Sequence, residues 1–171
     1  MKEQIQQALR VLIGMPLWSM GRAADLEWLQ FGERRTVFDR HGKPREVGAY
    51  ALHLQCAWRI TGPSGIVVGS RDLFYAPGGD PYNEPPDFDW AQPGANRRDH
   101  RTAGLIAEMA VSPLRVESVH GDAVGGFRLV LSDGYTLEVF PDDSLPAEQW
   151  RLFQPSTEAE HFVVTGDGIE T

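Results

Sequence analysis

The most constraining feature of the sequence is an alternating segment at residues 49–61, followed by a turn and a second apolar segment. Successive side chains of a strand point to opposite faces, so this alternation predicts a strand with one apolar and one polar face. Residues 62–65, Gly-Pro-Ser-Gly, predict a turn, and residues 66–75 predict the returning partner strand, which together indicate an antiparallel meander. The two faces carry Tyr50, Leu52, Leu54, Cys56, Trp58 and Ile60 on one side, and Ala51, His53, Gln55, Ala57 and Arg59 on the other.

The segments before this strand predict one helix and one further strand. Apolar side chains at helical spacing predict a short amphipathic helix at residues 3–13, which Gly14 and Pro16 end. Residues 23–31 predict a strand whose charged face, including Glu27, points to water while its apolar face, including Trp28, packs inward. The polar residues 33–47 predict a connection with a brief extended piece at 36–38.

The second half of the chain predicts a helix and then mostly strands. Asn96 or Asp99 caps a helix that runs to about Val111. Strands follow at 114–120, 127–132 and 135–140, a second meander, and shorter ones at 149–153 and 161–165. We therefore expect an α+β domain over residues 1–171, in which about eight mainly antiparallel strands form one strongly curved or partly closed sheet with an N-terminal helix and a middle helix.

Residues 76–98 form a long acidic, proline-rich segment between the two halves. Five of the twelve prolines fall in it, so it cannot build its own packed core and predicts a surface loop. Tyr82, Phe88 and Trp90 are interleaved with the acids, which favours an ordered flap over a linker. These three aromatic side chains are candidates for holding a partner or covering a pocket, and docking on the protein's own surface is the alternative.

The charge balance restricts the class of partner. Sixteen Lys and Arg residues against twenty-four Asp and Glu residues give a formal net charge of −8, which disfavours nucleic acid and anionic membranes. Residues 142–171 contain seven acids against Arg151 alone, so this region forms an acidic face or tail. The single cysteine, Cys56, and the lack of a signal-like or spanning segment lead us to expect a cytoplasmic protein.

Motifs for catalysis or cofactor binding are absent from the sequence. Ser64 lacks the flanking pattern of a nucleophile elbow, and no glycine-rich phosphate-binding loop is present. The five histidines show no metal-ligand spacing, and the acids of the 76–98 loop do not match a calcium-binding loop. We therefore expect no cofactor and no metal, and binding rather than catalysis.

One group of polar residues is a candidate binding site. His53, Gln55 and Arg59 share a strand face, and the returning strand would bring Arg71 and Asp72 close to them. A concave polar face with a guanidinium could bind a small anionic ligand that carries a carboxylate or phosphate. An ordinary solvated sheet face, or a structural salt bridge between Arg59 and Asp72, would give the same pattern.

The phrases Ala-Leu-His-Leu-Gln-Cys-Ala-Trp-Arg-Ile at 51–60, Trp-Arg-Leu-Phe at 150–153 and His-Phe-Val-Val-Thr-Gly at 161–166 resemble segments of a family of uncharacterised bacterial proteins. The resemblance implies a bacterial single-domain protein and carries no activity, substrate or catalytic residue.

Three functions remain open from the sequence. We expect a non-catalytic intracellular binding protein whose partner is a protein or a cationic ligand, with an adaptor or immunity-type role against a basic partner as one member of this class. The alternative is a small-molecule pocket or enzyme on the concave face that uses His53, Gln55, Arg59 and Arg71, with the 76–98 loop as a lid. A homo-oligomer is the third, through an exposed edge strand at residues 149–153.

Overall fold

The chain folds into two α-helices and a large antiparallel sheet, which confirms the α+β class. A computed structural model describes residues 1–80, 82 and 84–170. The helices are α1 (Lys2–Leu9) and α2 (Arg97–Val111), and short 3-10 turns lie at Arg10–Leu12, Ser70–Phe74 and Ser132–Gly134. In the described residues no helix is long and apolar enough to cross a membrane.

Within the described residues, eleven strands form the main sheet, in the order β13-β12-β11-β5-β2-β1-β8-β9-β10-β6-β7. The expected count of about eight strands was therefore too low. Two further strands, β3 and β4, form a separate hairpin. The strands are β1 (Pro16–Ala23), β2 (Leu26–Phe31), β3 (Arg35–Phe38), β4 (Pro44–Val47), β5 (Tyr50–Leu54), β6 (Ala57–Gly62), β7 (Gly65–Gly69), β8 (Leu114–Gly121), β9 (Phe127–Leu131), β10 (Thr136–Phe140), β11 (Glu148–Phe153), β12 (Phe162–Thr165) and β13 (Gly168–Ile169).

The main sheet is open but bends back on itself. Only Gln55 and Cys56 join β5 to β6, although these strands lie six positions apart in the sheet. A flat sheet with strands about 4.8 Å apart would separate them by about 29 Å, whereas the link from Leu54 to Ala57 reaches at most about 11 Å. The long strand predicted over residues 49–61 is therefore two strands with different neighbours, and the expected division into two meanders is not confirmed.

The concave side of the sheet encloses one hydrophobic core. The predicted apolar face of residues 50–60 faces this core, and Leu52, Leu54 and Ile60 are fully buried. The faces of β2 are the reverse of the prediction. Leu29 and Phe31 are fully buried, and the alternation of the strand places Glu27 on the same inner face, with no exposed surface.

A buried ion pair accommodates Glu27. The Arg98 side chain, 4% exposed, donates from Nε to Oε2 of Glu27 at 2.7 Å and from Nη2 to the same oxygen. Asp99 accepts from Arg98 at 2.9 Å and from Arg22 at 2.9 Å. Burial lowers the pKa of Arg98 to about 10, so its guanidinium remains charged at neutral pH.

Helix α2 supplies Arg98 because the buried face of the helix, which includes Arg98, packs against β1 and β7. The side chain of Asn96 accepts a hydrogen bond from the Asp99 backbone N–H and caps the helix, as predicted. Leu105 and Met109 lie on its buried face. The N-terminal helix α1 buries Ile5 and Leu9 and packs on β8.

Two further expectations about strands were also wrong. The strand expected over residues 66–75 ends at Gly69, and Arg71 and Asp72 lie in the 3-10 turn because Asp72 Oδ2 accepts from the Gly69 N–H and turns the chain. The expected edge strand at 149–153 is β11, which pairs with β12 on one side and β5 on the other. Because both its edges are hydrogen-bonded, it offers no edge for a second copy.

Candidate functional site

A cleft of about 530 Å³ lies on the face of β2 and β5 that points away from the core. Its floor comes from these two strands, one end comes from the β1–β2 turn, and its wall comes from β4. We call this space the cleft throughout. Its lining residues are Ala23, Leu26, Trp28, Gln30, Arg45, Glu46, Val47 and His53.

Strand register places the aromatic floor of the cleft. Trp28 lies directly opposite Gly21 on β1 and directly opposite His53 on β5. A Cβ atom at Gly21 would collide with the indole ring of Trp28, so glycine at this position is what allows the ring to lie across β1. The floor therefore combines a large apolar ring with an imidazole on the neighbouring strand.

The β3–β4 hairpin is held against the main sheet by polar contacts at its base. Gln30 Oε1 accepts from the Gly48 N–H at 2.7 Å, and Arg35 Nη2 donates to the carbonyl oxygens of Gly48 at 3.3 Å and Pro155 at 3.2 Å. A Cβ atom at Gly48 would collide with the backbone of Phe31, so this close approach requires glycine. These contacts fix the base of the wall relative to the floor.

His53 occupies an aromatic and charged environment. Its ring packs edge-on against Phe153 with centroids 4.7 Å apart, and Arg151 lies opposite it on β11. Burial lowers the pKa of His53 below its ordinary value of 6.5, the Arg151 and His161 charges lower it further, and Glu148 opposes them. The imidazole is therefore neutral near pH 7 and offers one hydrogen-bond donor and one acceptor.

The wall of the cleft carries two adjacent charged residues, Arg45 and Glu46. Glu46 faces Arg34, whose Nη1 lies 3.9 Å from Oε2, and the Arg34 guanidinium also stacks over Trp18 at 4.5 Å. Arg45 is exposed and forms no ion pair with any residue that the structure describes. Its guanidinium is therefore available to a ligand.

The residues predicted to form one site are divided between two cavities. His53 lines the cleft, whereas Arg59, Arg71 and Asp72 line a second cavity of about 310 Å³. Gln55 is exposed in the link between β5 and β6, and neither of these two cavities includes it. The separation follows from the break between β5 and β6, which pair with different strands.

The salt bridge between Arg59 and Asp72, which the sequence left open as an alternative, does not form. Arg59 pairs at 2.6 Å with Glu138, its direct neighbour on β10. Asp72 accepts from the Gly69 N–H and pairs with Arg97 at 3.4 Å. Strand register sets Glu138 opposite Arg59, and the 3-10 turn holds Asp72 at the Gly69 N–H.

The loop over residues 76–98 is anchored at its C-terminal end. Arg22 Nη2 donates to the carbonyl oxygens of residues 90–92 at 3.1 to 3.2 Å, and Trp90 packs edge-on against Phe74 with centroids 5.6 Å apart. Phe88 is half-buried and Tyr82 is 96% exposed, while Pro81 and Asn83 lie outside the described residues. Within the described part of this loop, no residue lines the cleft, so the structure shows no lid over it.

Sequence reasoning missed most of the cleft. Trp28 was predicted to be a core or half-buried side chain, and it is half-buried, but its place on the floor of a cleft was not predicted. Arg45 was predicted to lie in a connection, because the hairpin that brings it over the sheet was not predicted. One local signal was present. Asp39 Oδ1 accepts from the N–H groups of His41 and Lys43, the turn chemistry expected where an aspartate precedes a glycine at a hairpin.

Comparison of the chain with protein-family models, curated proteins and solved structures gave no match. The geometry of the cleft is therefore the basis for the function considered next.

Proposed function

We propose that this chain is a non-catalytic binding protein that holds a small planar organic molecule in the cleft. The observation that supports this function is that Trp28, His53 and Arg45 all line one cleft of about 530 Å³. Small-molecule sites commonly span about 300–1,000 Å³ and combine apolar walls with a few polar groups. Leu26 and Val47 add the apolar surface against which a ring would pack.

The composition of the lining favours binding over catalysis. Nucleophilic catalysis needs a base within hydrogen-bond reach of the nucleophile, and acid–base catalysis needs a side chain that exchanges a proton with the substrate. In the described structure the side chains lining the cleft include one imidazole, His53, and one carboxylate, Glu46, which faces Arg34, and they include no hydroxyl or thiol group. Cys56 is buried in the core cluster, where burial raises the pKa of its thiol to about 12.

Titration calorimetry with neutral aromatic compounds, beginning with indole, tests this function. We expect saturable binding that Trp28→Ala weakens by about tenfold or more, because the largest contact surface is lost. Trp90→Ala is the matched control, since Trp90 is also partly exposed but lies outside the cleft. Absence of binding by every aromatic probe, or equal loss in both variants, would refute the function.

A protein partner is the second candidate, and a different surface favours it. Ile66 is 63% exposed and Phe140 is 43% exposed, and both border the second cavity beside Arg59 and Arg71. Exposed apolar residues next to arginine are typical of interface centres. Affinity capture should retain a partner that Phe140→Asp releases and that Val124→Asp, a control at a 78% exposed position, does not.

A further inference from the structure

The wall of the cleft carries two charged side chains, Arg45 and Glu46, and of these Glu46 has an oppositely charged neighbour within the chain. Glu46 faces Arg34 across 3.9 Å, whereas Arg45 makes no ion pair within the described residues. The floor below them carries Trp28 and His53. The cleft thus presents a positive group on its wall beside an aromatic floor, and the negative group next to it has a cationic neighbour of its own, Arg34.

We infer that the ligand of the cleft is an aromatic carboxylate whose anionic group pairs with Arg45 while its ring lies against Trp28, an inference that rests on the binding function proposed above. A guanidinium matches the geometry of a carboxylate with two parallel hydrogen bonds, which makes such pairs stronger than neutral ones. His53 stands on the floor with one N–H donor to offer, so the anion has a second polar partner in reach of the same space.

The position of Arg45 explains why an anion is preferred to a neutral ring. An unpaired guanidinium loses hydration when a neutral ligand covers it, and this desolvation opposes binding. A carboxylate replaces the lost water contacts with charge-assisted hydrogen bonds. A cationic ligand would have to compete with Arg34 for Glu46 and would also meet the repulsion of Arg45.

Three compounds that share one ring and differ in charge test this inference. Indole-3-acetate is an anion, indole-3-acetamide is neutral, and tryptamine is a cation. By titration calorimetry of the whole chain we expect indole-3-acetate to bind about tenfold more tightly than the amide and tryptamine to bind least tightly. Raising the salt concentration should weaken the binding of indole-3-acetate and leave the binding of indole-3-acetamide unchanged.

Substitutions of arginine in the same hairpin give a matched pair. Arg45→Ala should remove the preference for the acetate over the amide, and Arg45→Lys should restore part of it. Arg40→Ala is the control, because Arg40 is exposed at the turn of the hairpin and does not line the cleft. Since both arginines are exposed, neither substitution should change the melting temperature by much.

The outcomes separate this inference from the function on which it rests. If the acetate and the amide bind equally, or if the preference for the acetate survives in Arg45→Ala, the inference of an anionic ligand is wrong. The proposed function, binding of an aromatic molecule in the cleft, would then still stand. Tightest binding by tryptamine would show that Glu46 selects the ligand and would also overturn it. Failure of all three compounds, together with indole, would overturn the binding function itself.

Discussion

Replacing Arg98 by methionine leaves the carboxylate of Glu27 buried without a counter-charge. Glu27 has no exposed surface, and both of the hydrogen bonds that Arg98 donates to it go to Oε2. Breaking a buried pair by removing one partner costs about 3–5 kcal/mol, because the remaining charge is neither hydrated nor paired. Asp99 loses the hydrogen bond from Arg98 but keeps its ion pair with Arg22 at 2.9 Å, so the carboxylate left without a counter-charge is that of Glu27.

Urea unfolding measures this cost. With a dependence on urea of about 2 kcal/mol per molar, a loss of about 4 kcal/mol lowers the midpoint by about 2 M. Replacing both residues, Glu27→Met with Arg98→Met, should recover most of the stability, because an apolar pair needs no compensation. If the two residues interact, the change in the free energy of unfolding for the double substitution should differ from the sum of the two single changes by well over about 1 kcal/mol.

An exposed pair of the same kind provides the control. Arg59 and Glu138 are joined at 2.6 Å, but their side chains are 44% and 22% exposed. Arg59→Met should therefore cost about 1 kcal/mol or less. Two results would contradict this reasoning. Arg98→Met could lose no more stability than Arg59→Met, or Glu27→Met with Arg98→Met could lose the sum of the two single losses. Either result would show that burial does not make Glu27 dependent on Arg98.

Three further predictions follow from the described contacts. Gly21→Ala should displace the Trp28 ring and weaken indole binding, at a stability cost of about 1–3 kcal/mol. Because burial lowers the pKa of His53 in the folded chain, the unfolded chain binds more protons just below pH 6.5; stability should fall as the pH drops through this range, and less so in His53→Gln. Cys56, whose thiol pKa is raised to about 12, should resist a thiol reagent until urea unfolds the chain.

The core was predictable because alternation is a local property. The apolar positions from Leu52 to Ile60 could be assigned to one face without any knowledge of the neighbouring strands. The break between β5 and β6 could not be predicted, since the alternation continues through Gln55 and Cys56 without interruption. Which strand pairs with which is decided by contacts between distant segments, and the sequence pattern carries no record of them.

The reversal of β2 has the same physical origin. A charged residue that alternates with Trp28 indicates a solvated face, unless a counter-charge arrives from elsewhere in the chain. That counter-charge is Arg98, 71 residues away on a helix that packs against β1 and β7. Turning Glu27 inward brings Leu29 and Phe31 into the core and turns Trp28 outward, where it becomes the floor of the cleft.

The charge that a ligand meets in the cleft depends on which charged side chains lie close to it, and the composition of the chain does not give these distances. A net charge of −8 favours cationic partners for the chain as a whole. At physiological ionic strength, however, exposed charges are screened over about 8 Å, so acids on remote surfaces act weakly inside the cleft. The groups within reach of a ligand there are Arg45, Glu46 and a neutral His53, and only Glu46 already faces an opposite charge. If the inferred ligand is right, a protein that is acidic overall selects an anion, because Arg45 is the guanidinium that lines the cleft in the described part of the chain.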